Sequence, residues 1–146
     1  MSGKMMVPSA VLAMSAMLAA AIPGGPARTD SAGVVGANTF PQRDGKALYA
    51  AICAGCHMPD AEGAVGAGTY IALADNKNLE GASYPVYVVL YGQKAMPGFG
   101  GFLDDAQVAA VVQYVRGNFG NNYRDPLSAD DVKAMRQPGY EYFALD

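Results

Sequence analysis

Cys53-Ala54-Gly55-Cys56-His57 constrains this chain more than any other stretch, because it gathers both cysteines and the single histidine of the sequence into five residues. In the spacing Cys-x-x-Cys-His the two thiols add to the two vinyl groups of a haem, and the adjoining imidazole reaches its iron. One turn of chain then both anchors and ligates the group. Two rival readings need residues or surroundings that are missing. A structural zinc site takes four ligands, and the chain offers two cysteines and one histidine in total. A thioredoxin-like dithiol expects strands around the motif, whereas the approach here is helical in pattern. The expected cofactor is haem c, held through two thioether bonds to Cys53 and Cys56, with His57 on the iron.

Length and composition fit this reading. With 146 residues, 51% apolar and 16% charged, the chain carries one modest globular domain with extensions at its ends. A body that small has little apolar volume of its own, and a buried haem supplies some. Ten Lys and Arg against 13 Asp and Glu leave the chain acidic, which argues against nucleic acid as a partner.

Residues 1–27 read as an export signal: Lys4 opens it, an apolar run follows over 5–21, and small residues permit cleavage after Ala21 or after Ala27. Export makes the expected location periplasmic, with membrane contact only through this leader if it stays uncleaved. Residues 28–41 are rich in small residues without periodicity and read as a linker. From there Asp44 is placed to cap a helix carrying Ala47, Leu48, Ala51 and Ile52 on its apolar face and running into Cys53. Gly45 and Tyr49, four apart, share a face on which a second helix can approach.

Three glycines and Pro59 make residues 58–69 a loop. A backbone carbonyl between Gly68 and Ala72 is expected to accept from His57 and fix its ring. Tyr70 to Ala74 reads as a short apolar element and 75–78 as a polar turn. Residues 86–91 have strand-like composition, but Pro85 in a first turn and Gly92 as a C-cap favour a helix. A loop over 92–101 comes next. Asp104 or Asp105 then caps a helix with Val108, Val111, Val112 and Val115 on one stripe and Tyr114 beside it, ending at Gly117 or Gly120.

The iron has a second axial position, and no other histidine exists to fill it. Beyond the leader the thioethers are Met58, Met96 and Met135. Met58 adjoins His57 and cannot reach the opposite haem face, and Met135 lies in a polar segment. Met96, in a Pro- and Gly-punctuated loop between two helices, is the expected second ligand. Sulfur opposite imidazole raises the reduction potential and leaves no open coordination position, so the expected function is one-electron transfer rather than catalysis. The alternative is a five-coordinate haem enzyme or gas sensor in which Met96 is structural only.

On these residues, chiefly Cys53 to His57, Gly45 with Tyr49, Met96-Pro97 and Tyr114, the chain resembles the class I c-type cytochromes over about 42–118. The resemblance implies an all-α cytochrome c fold of three to five helices wrapped around one covalent haem. It also implies that Gly45, Tyr49 and Tyr114 serve packing where the first and last helices cross. Redox proteins are the implied partners, with a periplasmic dehydrogenase as donor and another cytochrome or a terminal oxidase as acceptor. This divides the chain into leader 1–27, linker 28–41, cytochrome domain 42–118 and C-terminal extension 119–146. In the extension Ser128 heads a short capped helix, and Tyr140, Tyr142 and Phe143 form an aromatic tail. Either the tail packs over the domain or it docks a partner.

Overall fold

Asp44 starts the first helix as its pattern requires. Its extended backbone and a carboxylate accepting from the Ala47 N–H at 2.9 Å cap α1 (Gly45–Leu48). The computed structural model describes residues 40–66 and 68–140. The leader, most of the linker, and Tyr142 and Phe143 lie outside them. Helical backbone continues from α1 through a π-helical turn (Tyr49–Cys53), in which Ala54 N–H reaches back five residues to the Tyr49 carbonyl, and into α2 (Ala54–His57). Such a turn takes in one more residue than an α turn. The side chains of α2 are therefore rotated by about 100° from where an uninterrupted α-helix would set them.

The closing helix, α4 (Asp105–Gly117), is built as its sequence implies. Asp104 and Gln107 cap it reciprocally, and Val108, Val111, Val112 and Val115 are all buried. Partial desolvation opposes ionisation of Asp104, but the Gln107 N–H and the Arg43 guanidinium, paired with it, hold its carboxyl below the usual value. Gln107 also donates to the Phe40 and Gln42 carbonyls at 2.6 and 2.8 Å, fastening the incoming chain to α4.

The crossing of α1 on α4 depends on Gly45. A Cβ there would stand 2.2 Å from the Ala110 carbonyl oxygen and 2.6 Å from Tyr114 Cβ, so only glycine permits this approach. Beside it Tyr49, Tyr114 and Phe119 form one aromatic cluster, with ring centroids 4.9 to 5.8 Å apart. Phe119 belongs to the stretch read as extension, yet it completes this junction.

The middle helix α3 (Ser83–Tyr91) starts before the expected 86–91. Pro85 falls in its first turn, where no backbone N–H is needed, and Gly92 at φ 77° closes it by donating to the Val88 carbonyl at 2.8 Å. Between α2 and α3 lies a small feature spanning the expected loop 58–69 and the first residue of the short apolar element: β1 (Ala64–Val65) pairs antiparallel with β2 (Thr69–Tyr70). A 3-10 turn (Lys77–Leu79), capped by Asn76, comes after it. The architecture is mostly helical, as expected, with this hairpin as its one sheet among the described residues.

A buried arginine ties these parts together. Arg116, near the end of α4 and 0% exposed, donates to the Leu79 carbonyl at 2.9 Å, the Glu80 carbonyl at 2.7 Å and the Asp125 carboxylate at 2.6 Å. It holds the 3-10 turn to the chain that leaves α4. Asn121 does the same for the neighbouring loop, donating to the Leu73 and Val115 carbonyls and accepting from the Asn76 N–H. Finally α5 (Ala129–Met135), capped by Ser128 with Asp131, packs on α3 and α4 and buries Val132 completely. Over its described residues the C-terminal stretch therefore covers the helical body. No helix among the described residues is long and apolar enough to cross a membrane.

Candidate cofactor site

Cys53 closes the π-helical turn, and Cys56 and His57 come after it in α2. Spacings of three and four residues set all three side chains along one side of the helix. Cys53 is half-buried and Cys56 exposed, and both are free thiols. Burial, and next the neighbouring Cys56, push the Cys53 thiol up to about 12. That is the opposite of the lowered value a dithiol exchanger needs. No group of three or more His, Cys, Asp or Glu suited to a metal ion exists among the described residues.

The chain leaves α2 abruptly. Met58 has φ 66° and ψ 157°, a conformation that glycine normally occupies, and three hydrogen bonds hold it there. Gly63 N–H donates to the His57 carbonyl at 3.1 Å, while Ala61 N–H and the Tyr49 hydroxyl donate to the Met58 carbonyl at 3.0 and 2.7 Å. Burial first, and nearby Cys53 next, raise the Tyr49 phenol to about 12, which keeps it a hydroxyl donor. Tyr49 thus does more than the packing role expected of it.

The loop then folds back on the histidine. Ala61, fully buried, accepts from the N–H groups of Leu73 and Ala74 at 2.8 and 3.0 Å, and the small hairpin closes the segment between. Gly63 is required at the base. Its φ is 69°, and a Cβ would stand 2.3 Å from the Tyr70 carbonyl oxygen. The result is an Ile71 carbonyl oxygen 2.8 Å from His57 Nδ1, inside the window 68–72 expected from sequence. A carbonyl only accepts, so Nδ1 carries the proton and Nε2 keeps its lone pair for a metal. Two thiols and an imidazole oriented in this way fit a covalently held haem.

Met96 stands on a separate loop between α3 and α4. Gln93 and Met96 exchange both backbone hydrogen bonds at 3.0 Å, with Lys94 at φ 55° in the turn between them. Gly92 makes room for this, since a Cβ there would lie 2.5 Å from the Met96 carbonyl oxygen. Beyond it Phe99 and Gly100 donate to the Val89 and Leu90 carbonyls at 2.7 and 3.1 Å, so the loop doubles back along α3. The Met96 side chain is half-buried. Cys53, Cys56 and His57 are thus brought together by one helix, and Met96 is held on its own pinned loop.

Residues 40–115, just over half the chain, match the family model described as cytochrome c oxidase, cbb3-type, subunit III. The fructose dehydrogenase cytochrome subunit of Gluconobacter japonicus is 37% identical over 112 residues, covering 66% of this chain. The cytochrome c subunit of a quinone-type alcohol dehydrogenase of Gluconobacter oxydans is 32% identical over 106 residues. This chain spans 22% of the length of each of those two subunits. Cytochrome c6 of Picosynechococcus is 40% identical over 88 residues, which cover 53% of this chain and 74% of the cytochrome.

Proposed function

The chain belongs to the cytochrome c family, whose members bind haem c covalently and transfer electrons, and on that premise we propose that it is a periplasmic one-electron carrier with His57 and Met96 as axial ligands. Cys53 and Cys56 would form the two thioether bonds to the haem. The observation that supports this reading is the hydrogen bond from His57 Nδ1–H to the Ile71 carbonyl, since it orients the ring and leaves the other nitrogen available to a metal. When bound, the haem supplies a one-electron iron couple. The protein's part is to keep the surroundings of that couple unchanged as the charge changes. The Ile71 carbonyl fixes the imidazole and the Gln93–Met96 bridge fixes the loop that bears the sulfur, so His57 and Met96 would hold the iron and oppose the entry of small ligands.

The protein then acts as an electron-transfer partner and not as a catalyst. The likeness to two proteins named as cytochrome subunits of dehydrogenases supports an exported dehydrogenase as donor, with another cytochrome or a terminal oxidase as acceptor. In this reading residues 1–27 direct export and are removed, 42–118 form the cytochrome domain and 119–146 its C-terminal extension.

The ferric absorption spectrum tests the ligand set. Wild-type protein should show the weak far-red band given by sulfur on ferric haem iron, Met96→Ala should lose it entirely, and Met135→Ala should keep it. A high-spin wild-type spectrum without the band would overturn the assignment of Met96.

A further inference from the structure

The last residue of α5 and those just beyond it grip both arms of the loop that carries Met96. On the leading arm, Tyr91 is the last residue of α3. Its hydroxyl donates to the Met135 carbonyl at 2.8 Å and accepts from the Gln137 N–H at 2.7 Å, and its ring meets Tyr140 edge-on at 4.8 Å. On the trailing arm, the Arg136 guanidinium donates to the Gly100 carbonyl at 2.7 Å and the Leu103 carbonyl at 2.8 Å, and pairs with Asp105 at the start of α4. Residues 135–137 therefore touch the chain directly before and directly after the stretch 92–99. They are held in turn by α5, which is docked through the fully buried Val132.

We propose that the C-terminal extension is a brace for the Met96 loop, with Arg136 and Tyr91 as its positioning residues. It rests on the reading that Met96 ligates the iron. The extension lies beyond the family match, which ends at residue 115. Surface loops are the parts of a fold that open at least cost, and a loop bound at one arm alone opens about the other. Anchoring both arms to one docked helix removes that hinge. The guanidinium suits the trailing arm because its planar fork reaches two carbonyls and a carboxylate together, which a lysine cannot do. Opening of the loop withdraws the sulfur. An added ligand then binds with an apparent affinity that scales with the open fraction.

The test uses the full-length ferric holoprotein and cyanide, read beside the far-red band and the urea unfolding midpoint. Arg136→Gln should bind cyanide about tenfold more tightly than wild type, and Tyr91→Phe should shift the same way by a smaller factor. Leu79→Ala, a core truncation in the 3-10 turn, should lower the midpoint and leave cyanide affinity unchanged. If Arg136→Gln does not fold, Tyr91→Phe carries the test alone. Folded brace variants with wild-type cyanide affinity would overturn the brace. So would a Leu79→Ala protein that gains affinity equally, since general destabilisation would then suffice. A wild-type protein lacking the far-red band overturns the Met96 reading, and the brace with it; a wild-type protein with the band and variants without effect overturns the brace alone.

Discussion

Arg116→Met should cost about 3 to 5 kcal/mol, a large share of the total stability of a domain this size. The guanidinium is fully buried, and its fork satisfies the Leu79 and Glu80 carbonyls and the Asp125 carboxylate at once. Methionine fills much of the space but donates nothing, so the buried Leu79 carbonyl loses this donor and the 3-10 turn loses its tie to the end of α4. Hydrogen bonds from a charged donor are worth about 1.5 to 3 kcal/mol each, and an orphaned buried acceptor adds about 1 to 3. Arg116→Lys should recover only part of the loss, because one ammonium cannot span the same acceptors. Urea unfolding of the two variants beside wild type measures both effects. A change below about 1 kcal/mol for Arg116→Met would mean that water replaces the arginine.

Gly45→Ala should be destabilising by about 3 kcal/mol or more, although alanine is the better helix former by about 1 kcal/mol. The added methyl would stand 2.2 Å from a backbone oxygen of α4, and a carbonyl in the middle of a helix cannot step aside. The helices must separate, which opens the Tyr49, Tyr114 and Phe119 cluster at the same time. Gly117, at the end of α4, is the matched control. A Cβ there meets nothing within 4 Å, so Gly117→Ala should be neutral or slightly stabilising. Thermal unfolding of the pair should move in opposite directions or leave the control unmoved. Equal effects from both would show that helix propensity, not the crossing, is what Gly45 governs.

Much of the fold was legible where one residue does one local job. Asp44, Asp104 and Ser128 cap the helices they were expected to cap, Gly92 ends α3, and the four valines of α4 face inward. The π-helical turn was not legible. No residue in Tyr49–Cys53 is a recognised signal for it, and its effect is geometric: it shifts the register of Cys56 and His57 relative to the Gly45 face that meets α4. The Ala64–Val65 and Thr69–Tyr70 hairpin escaped notice because two-residue strands are shorter than any alternation that a pattern can reveal.

At the site, the residue types could be read and their supports could not. Cys53, Cys56 and His57 announce themselves by spacing. The acceptor for His57 is a backbone carbonyl, which every residue owns, so sequence narrowed it only to 68–72 and the loop's own hydrogen bonds select Ile71. Tyr49 was legible as a packing ring, but its bond to the Met58 carbonyl depends on a backbone turn that no local signal marks. Arg116 reads as an ordinary basic residue near a helix C-terminus. Its burial comes from carbonyls 36 and 37 residues away in the chain, which only the tertiary fold brings to it.

Carbon monoxide added to the ferrous holoprotein at neutral pH separates an electron relay from a haem that works by binding. With His57 and Met96 both on the iron, the spectrum should stay as it was before the gas was added. An immediate and complete shift to the carbonyl-bound form would show an open coordination position, and would contradict the assignment of this protein as a closed one-electron carrier.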